Sequence, residues 1–162
     1  MSVPRLIDPP ADPVVDLPDM KTHLRVRHSD DDAQIEAMEQ AAVSHLDGWS
    51  GLLGRAIMPQ TWSETFTCGG PYRLALPDVI EVTVTADGEA ASGEVTVDAL
   101  GPVVALDVSA SIVTIEYACA LPEPQLPAAR AAVKLYAEHL WTGEPLSPAF
   151  DALVSILRRR SL

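Results

Sequence analysis

The sequence predicts an α+β protein: an α-helical bundle drawn from both ends of the chain, with an inserted antiparallel β unit of five or six short strands. Two observations carry this. Residues at both chain ends repeat apolar side chains at three- and four-residue steps, the period of a helix with one buried face. The middle of the chain, over 60–118, changes to alternation with Gly and Pro punctuation, the pattern of short strands.

The stretch DDDAQIEAMEQAAVSHLDGW, residues 30–49, reads as the central helix. Ile35, Met38, Ala42, Leu46 and Trp49 fall on one stripe. Asp30, Asp31 and Asp32 stand at its start, where free backbone N–H groups favour negative charge. Gly51 follows it and suits a left-handed cap. Such a stripe must be covered by other parts of the chain.

In chain order, residues 1–15 hold four prolines and little periodicity, and read as a flexible N-terminal arm. One domain is expected over 16–162. Asp16 reads as the cap of a short helix over 17–24, with Pro18 in its first turn. A connector after Gly51 ends at Pro59. Trp62 and Phe66 mark a strand over 60–67, with Ser, Thr and Glu interleaved. Short strands follow at 73–76, 79–85, 94–97, 103–106 and 111–117, and Asp87-Gly88 is a hairpin turn. In the strand over 79–85, Ile80, Val82 and Val84 are expected to share a face. The prolines of 121–127 return the chain to helix. A helix over 128–141 carries Ala129, Ala132, Val133, Tyr136 and Leu140 on one stripe and stops at Gly143. A last helix over 148–160 carries Phe150, Leu153, Val154 and Leu157 on one side.

Composition narrows the function. Hydrophobic residues make up 48% of the 162 residues, which excludes general disorder. No apolar run approaches the ~20 residues that span a bilayer, so no membrane partner is expected. The N-terminal stretch has neither a basic nor an apolar signal region, so secretion is not expected. Cys68 and Cys119 are then expected to be reduced thiols. The formal net charge of −12 argues against a sequence-independent grip on DNA, which needs basic contacts to phosphate. Charge is also unevenly placed. Between Leu74 and Ala129 there is no Lys or Arg, while Asp78, Glu81, Asp87, Glu89, Glu94, Asp98, Asp107, Glu116 and Glu123 all fall there.

Catalytic signatures are missing. The chain has no G-x-S-x-G, P-loop, G-x-G-x-x-G or H-E-x-x-H. His23 and His28, five apart, have no recognised metal spacing with Asp30 to Asp32. His45 and Asp47 do not face each other on a helix. No enzyme activity, cofactor or metal is expected. Trp49 and Trp62 read as core residues rather than stacking platforms.

The order of the motifs is more informative than any one of them. Leu17, Lys21, Leu24 and Arg25 lie on a first helix, Asp30 to Asp32 in a link, and an Ala-rich helix follows. Gly54-Arg55 then forms a turn, and Gln60 and Trp62 begin a strand. A strand ending at Tyr117 precedes a Pro-containing link, a helix from Ala128 to Trp141, and a short last helix ending in arginine. In this order the chain, from about Asp16 to Arg160, resembles the phage head–tail connector (adaptor) family. It departs from that pattern at Ala118-Cys119-Ala120-Leu121-Pro122, where the family often has Thr-Ala-Gly-Tyr-Gly, and at the shortened Trp141-Thr142-Gly143-Glu144. Its Ala-, Val- and Asp-rich style suits a prophage or a gene transfer agent.

The resemblance implies a structural protein at the head–tail interface of a virion or phage-like particle, assembled in the bacterial cytoplasm. It implies a ring of about twelve copies closed by head-to-tail contacts. Its partners would be the portal protein above, a stopper or tail-completion protein below, and DNA passing through without sequence-specific binding. Asp78, Glu81, Asp87, Glu89 and Glu94 are then candidates for an acidic lumen or surface. Leu153, Leu157, Arg158, Arg159 and Arg160 are candidates for portal docking, an apolar stripe ending in clustered positive charge. Leu153 and Leu157 serve equally well to close the chain's own bundle. The competing reading is a monomeric binding module acting through its β unit, with no catalytic activity.

Overall fold

The computed structural model describes residues 2–67 and 69–158. Among the described residues the fold is α+β, with four α-helices and two antiparallel sheets. The chain forms two compact units. A β unit takes the N-terminal residues up to Ala11 together with Met58–Leu121, and a helical unit takes Asp12–Ile57 and Pro122–Arg158.

In the helical unit, α1 (Leu17–Leu24) begins as its sequence requires. The Asp16 carboxylate accepts from the Asp19 N–H at 2.8 Å, and Pro18 stands in the first turn. Arg25 ends it in the left-handed region at φ 60°, its N–H reaching the carbonyls of Lys21 and Thr22. α2 (Asp32–Leu46) is shorter than the expected 30–49 at both ends. The aspartate triplet makes no side-chain cap: Asp31 precedes the helix without one. Asp32 instead pairs with the Lys21 ammonium and ties α2 to α1.

Ile35, Ala42 and Leu46 are buried as the stripe predicts, but Trp49 lies beyond the helix end and is exposed. The left-handed glycines of this stretch are Gly48 and Gly54, not Gly51. Gly51 is needed for a different reason. A Cβ there would sit 2.1 Å from the Asp47 carbonyl oxygen, because the loop folds back to bond Leu52 and Leu53 to the last carbonyls of α2.

α3 (Leu126–Thr142) follows a single 3-10 turn at Glu123–Gln125 and is capped by Gly143 at φ 72°. It buries Ala129, Ala132, Val133 and Ala137. These small residues let it lie close against α2. Its stripe turns toward Ala137, leaving Leu140 half-exposed. Tyr136 stacks on His45 with centroids 4.4 Å apart and meets Phe150 at 5.7 Å. α4 (Pro148–Leu157) packs on α3 through Phe150, Val154 and Leu157.

The β unit is two layers. The larger sheet has the order β1-β2-β8-β4-β5, with β1 (Arg5–Asp8), β2 (Gln60–Phe66), β4 (Val79–Ala86), β5 (Glu89–Ala91) and β8 (Val113–Cys119). The smaller has the order β3-β7-β6, with β3 (Tyr72–Arg73), β6 (Gly93–Asp98) and β7 (Gly101–Leu106). Phe66 meets Tyr72 between the layers at 5.2 Å. A Cβ on Gly93 would lie 3.2 Å from Val84, so a glycine lets β6 approach β4.

Several features differ from the sequence expectation: the strand expected over 73–76 is Tyr72–Arg73, and the one expected over 111–117 is Val113–Cys119. Arg5–Asp8, expected in a flexible arm, is a strand paired with β2, and Val14 and Val15 are buried. Glu89–Ala91 is a strand too short to show a period. Ile80 does not join Val82 and Val84: a bulge between Val79 and Glu81 places it outward at 67% exposure. The turn at Asp87-Gly88 is as expected, with φ 48° and 91°. Cys119 is buried on β8, and Cys68 lies outside the described residues.

Candidate functional site

Buried ionisable groups are the usual first place to look for chemistry. Among the described residues two carboxylates are buried, and both have structural partners. Glu64, 2% exposed, faces the core with Trp62 because both are even-numbered positions of β2. Its Oε1 accepts from the Tyr117 hydroxyl at 2.7 Å and from the Ala75 N–H at 2.8 Å. Burial raises its pKa, and the two donors only partly oppose that. Burial and the neighbouring Glu64 likewise push the Tyr117 hydroxyl up. Glu39 on α2 accepts from the Val15 N–H at 3.2 Å, and burial raises its pKa too. The Val14 carbonyl accepts from Arg130 at 3.1 Å. Glu39 and Arg130 therefore clamp the segment leading into α1. Sequence reasoning placed neither Glu64 nor Glu39 inside; strand parity was the available signal for Glu64.

The histidines lie beside aromatic rings, carboxylates or a carbonyl. His23 Nε2 lies 3.0 Å from Glu138, while His28 lies 3.9 and 3.7 Å from Asp30 and Asp31. Among the described residues, no group of three or more His, Cys, Asp or Glu side chains could hold a metal ion. Two open hollows, of about 440 and 410 Å³, flank the loop around Val108 to Ala110. Both are walled mainly by small residues.

The remaining candidates are surfaces. Of the acidic set, Glu81, Glu89 and Glu94 are exposed, on β4, β5 and β6. Glu81 shares the outward face of the large sheet with Glu116, both among threonines and serines of β2, β4 and β8. Asp78 sits in the left-handed region at φ 60°, with its carbonyl accepting from the Ala120 N–H at 3.3 Å. Asp87 is committed to its turn. Its carboxylate accepts from the Ser111 and Ile112 N–H groups, at 3.0 and 2.8 Å, which hold it below the usual carboxylate range. The five candidates therefore differ in exposure and in partners.

Of the docking set, Leu157 is fully buried in the helical unit and Leu153 is half-buried. Arg158 is exposed, and Arg159 and Arg160 lie outside the described residues. Arg55 reaches α4 from the turn after α2: its Nη1 donates to the Leu157 carbonyl at 3.0 Å and to Gln125 Oε1 at 2.7 Å. The residue the stripe did not single out is Ile156, 75% exposed beside Arg158.

The chain is thus a four-helix unit interrupted in sequence by a two-layer β unit. No family model matches the chain, and no curated protein matches it. Its fold is that of a chain in the neck of an empty GTA (gene transfer agent) particle, a structure computed with C6 symmetry. The match has a TM-score of 0.72 at 14% identity and covers 99% of this chain and 97% of that one.

Proposed function

We propose that the chain is a structural head–tail connector (adaptor) of a tailed phage or a phage-like gene transfer agent. It forms a ring beneath the portal that joins the DNA-filled head to the tail and lets DNA pass through. The carrying observation is the shared fold over nearly the whole of both chains, the other chain belonging to a particle neck. The order of motifs from Asp16 to Arg160 supports the same reading.

A ring of identical copies closes by head-to-tail contacts, so each chain must present two different patches. Carboxylates facing a channel repel phosphate and let DNA slide. Glu81, Glu89 and Glu94, with side chains free of a turn, suit that task better than Asp87. For docking to the portal, the exposed end of α4 is the surface: Ile156, half-buried Leu153 and Arg158, continuing into Arg159 and Arg160. Leu157 supports that end from inside. The stopper or tail-completion protein is the partner on the opposite face.

Removal of residues 158–162 tests the docking. Pull-down by the portal should be lost while the helical unit keeps its circular dichroism; undiminished binding rejects this surface. Replacing Glu81, Glu89 and Glu94 by Gln tests the channel. DNA release from assembled particles should slow, and an unchanged rate rejects the role of these carboxylates.

A further inference from the structure

We infer that the first strand is exchanged between copies: residues 2–8 of one copy pair with β2 of the next, in place of that copy's own residues 2–8. This rests on the ring reading above and names the element that ties neighbours together. The chain itself shows what fits the β2 edge. Arg5, Leu6 and Asp8 pair antiparallel with Ser63, Trp62 and Thr61, and Ser2 Oγ accepts from the Thr65 N–H at 3.0 Å. A second copy brings the same residues, so exchange replaces each of these contacts by an identical one. The edge also calls for a strand. β2 pairs regularly with β8 along all seven residues, and its sequence QTWSETF has no Pro, Lys or Arg to blunt its other side.

The attachment of β1 is slight. All four of its residues are exposed, and its register breaks between Leu6 and Asp8. Of residues 2–8 only Pro4 is buried. Firm anchorage begins at Val14 and Val15, which are buried and held by Arg130 and Glu39. Between them and β1 lies the segment PPADP, residues 9–13, exposed except for half-buried Pro10. Its three prolines remove three N–H donors from five residues and hold them extended. Five extended residues reach about 16 Å. The strand is therefore free to leave β2 without disturbing the clamp before α1, and its departure bares the β2 edge to the strand of a neighbour.

Exchange supplies what a ring needs. Each copy gives its first strand to one neighbour and receives a strand on β2 from the other. The two patches differ, so the contact is heterologous and repeats around an axis. It needs no complementary charge and no new apolar contact. A dilute free chain has no second copy within reach and keeps its own strand on β2. Copies seated side by side on the portal hold a neighbour's strand at high effective concentration.

The test is disulfide trapping of the β1–β2 pair. Arg5→Cys and Ser63→Cys, directly opposite each other, are combined in one chain in a Cys68→Ser background. Oxidised as a dilute free chain, the variant should close the bond within itself and run as a monomer. Oxidised after rings have assembled on the portal, it should give a ladder of dimers, trimers and higher species that reductant collapses. A chain locked before mixing should form no ring until it is reduced. Asp8→Cys with Thr61→Cys reads the same pairing should the first pair impede assembly. Rings with no bond between chains for either pair, a series that stops at the dimer, or ring closure by locked chains overturns the exchange and leaves the ring reading standing. An unmodified chain that forms no ring on the portal overturns both.

Discussion

The Tyr117 hydroxyl donates to Glu64 Oε1 at 2.7 Å across two paired strands, in the buried layer of the β unit. The same oxygen accepts from the Ala75 N–H, so one carboxylate holds β2, β8 and the loop after β3 together. Tyr117→Phe removes one donor and leaves a buried acceptor half-satisfied. The expected loss is about 1–2 kcal/mol in urea unfolding of the β unit.

Glu64 also sets a pH dependence. Its folded pKa lies above its ordinary value of 4.5 because burial penalises the charge. Below the unfolded pKa the carboxyl is protonated in both states, and its full contribution is present. As pH rises through the folded pKa that contribution is lost, because the unfolded state gives up its proton more readily. Glu39 acts in the same sense. Glu64→Gln keeps an acceptor at the site and removes the titration. Unfolding midpoints of the two proteins should converge at acid pH, and the variant should be the more stable at neutral pH. Parallel pH profiles would reject the assignment.

Arg55 satisfies a helix end. The last carbonyls of a helix have no partner within it, and Arg55 donates to one of them, on Leu157. Arg55→Ala should cost about 1–2 kcal/mol and speed amide exchange in the last turn of α4 before the rest of the helical unit. On the docking reading it should also weaken portal pull-down, because the end of α4 is then unanchored.

Adjacent residues at the end of α4 should part company. Leu157 is fully buried, so Leu157→Ala is expected to destabilise by about 2–5 kcal/mol through the cavity it leaves. Ile156 is 75% exposed, so Ile156→Ser should change stability by less than about 0.5 kcal/mol. On the docking reading it is Ile156→Ser, not a folding defect, that reduces portal binding.

Gly51→Ala should be the costliest of the small-residue changes. The added Cβ would meet the backbone oxygens of Asp47 and Leu46 at 2.1 and 2.5 Å, and backbone cannot swing aside as a side chain can. A loss above about 3 kcal/mol in thermal or urea unfolding is expected, of the size reserved for strained or overpacked positions.

Elements long enough to show a period were legible in the sequence. α1 fell at its expected bounds because Asp16 and Pro18 are unambiguous start signals. The Asp87-Gly88 hairpin was legible for the same reason: two residues that accept positive φ. What was missed depends on tertiary pairing. Nothing local marks Arg5–Asp8 as a strand; it becomes one because β2 offers an open edge. The bulge that turns Ile80 outward depends on its register with Cys119 and Ala118. Nothing local marks Glu39 or Glu64 for burial, because the donors that allow it, Val15, Ala75 and Tyr117, come from distant parts of the chain. The apolar stripe of α4 was legible, but which of its residues face outward followed from the packing of α4 on α3, which buried Leu157 and left Ile156 out.

Electron microscopy of the purified protein mixed with the portal protein encoded beside it tests the central claim most directly. The account predicts a closed ring stacked coaxially on the narrow end of the portal, with the end of α4 at the junction. Two folded proteins that remain separate across a range of concentration and salt would contradict it, and the binding-module reading, centred on the β unit, would take its place.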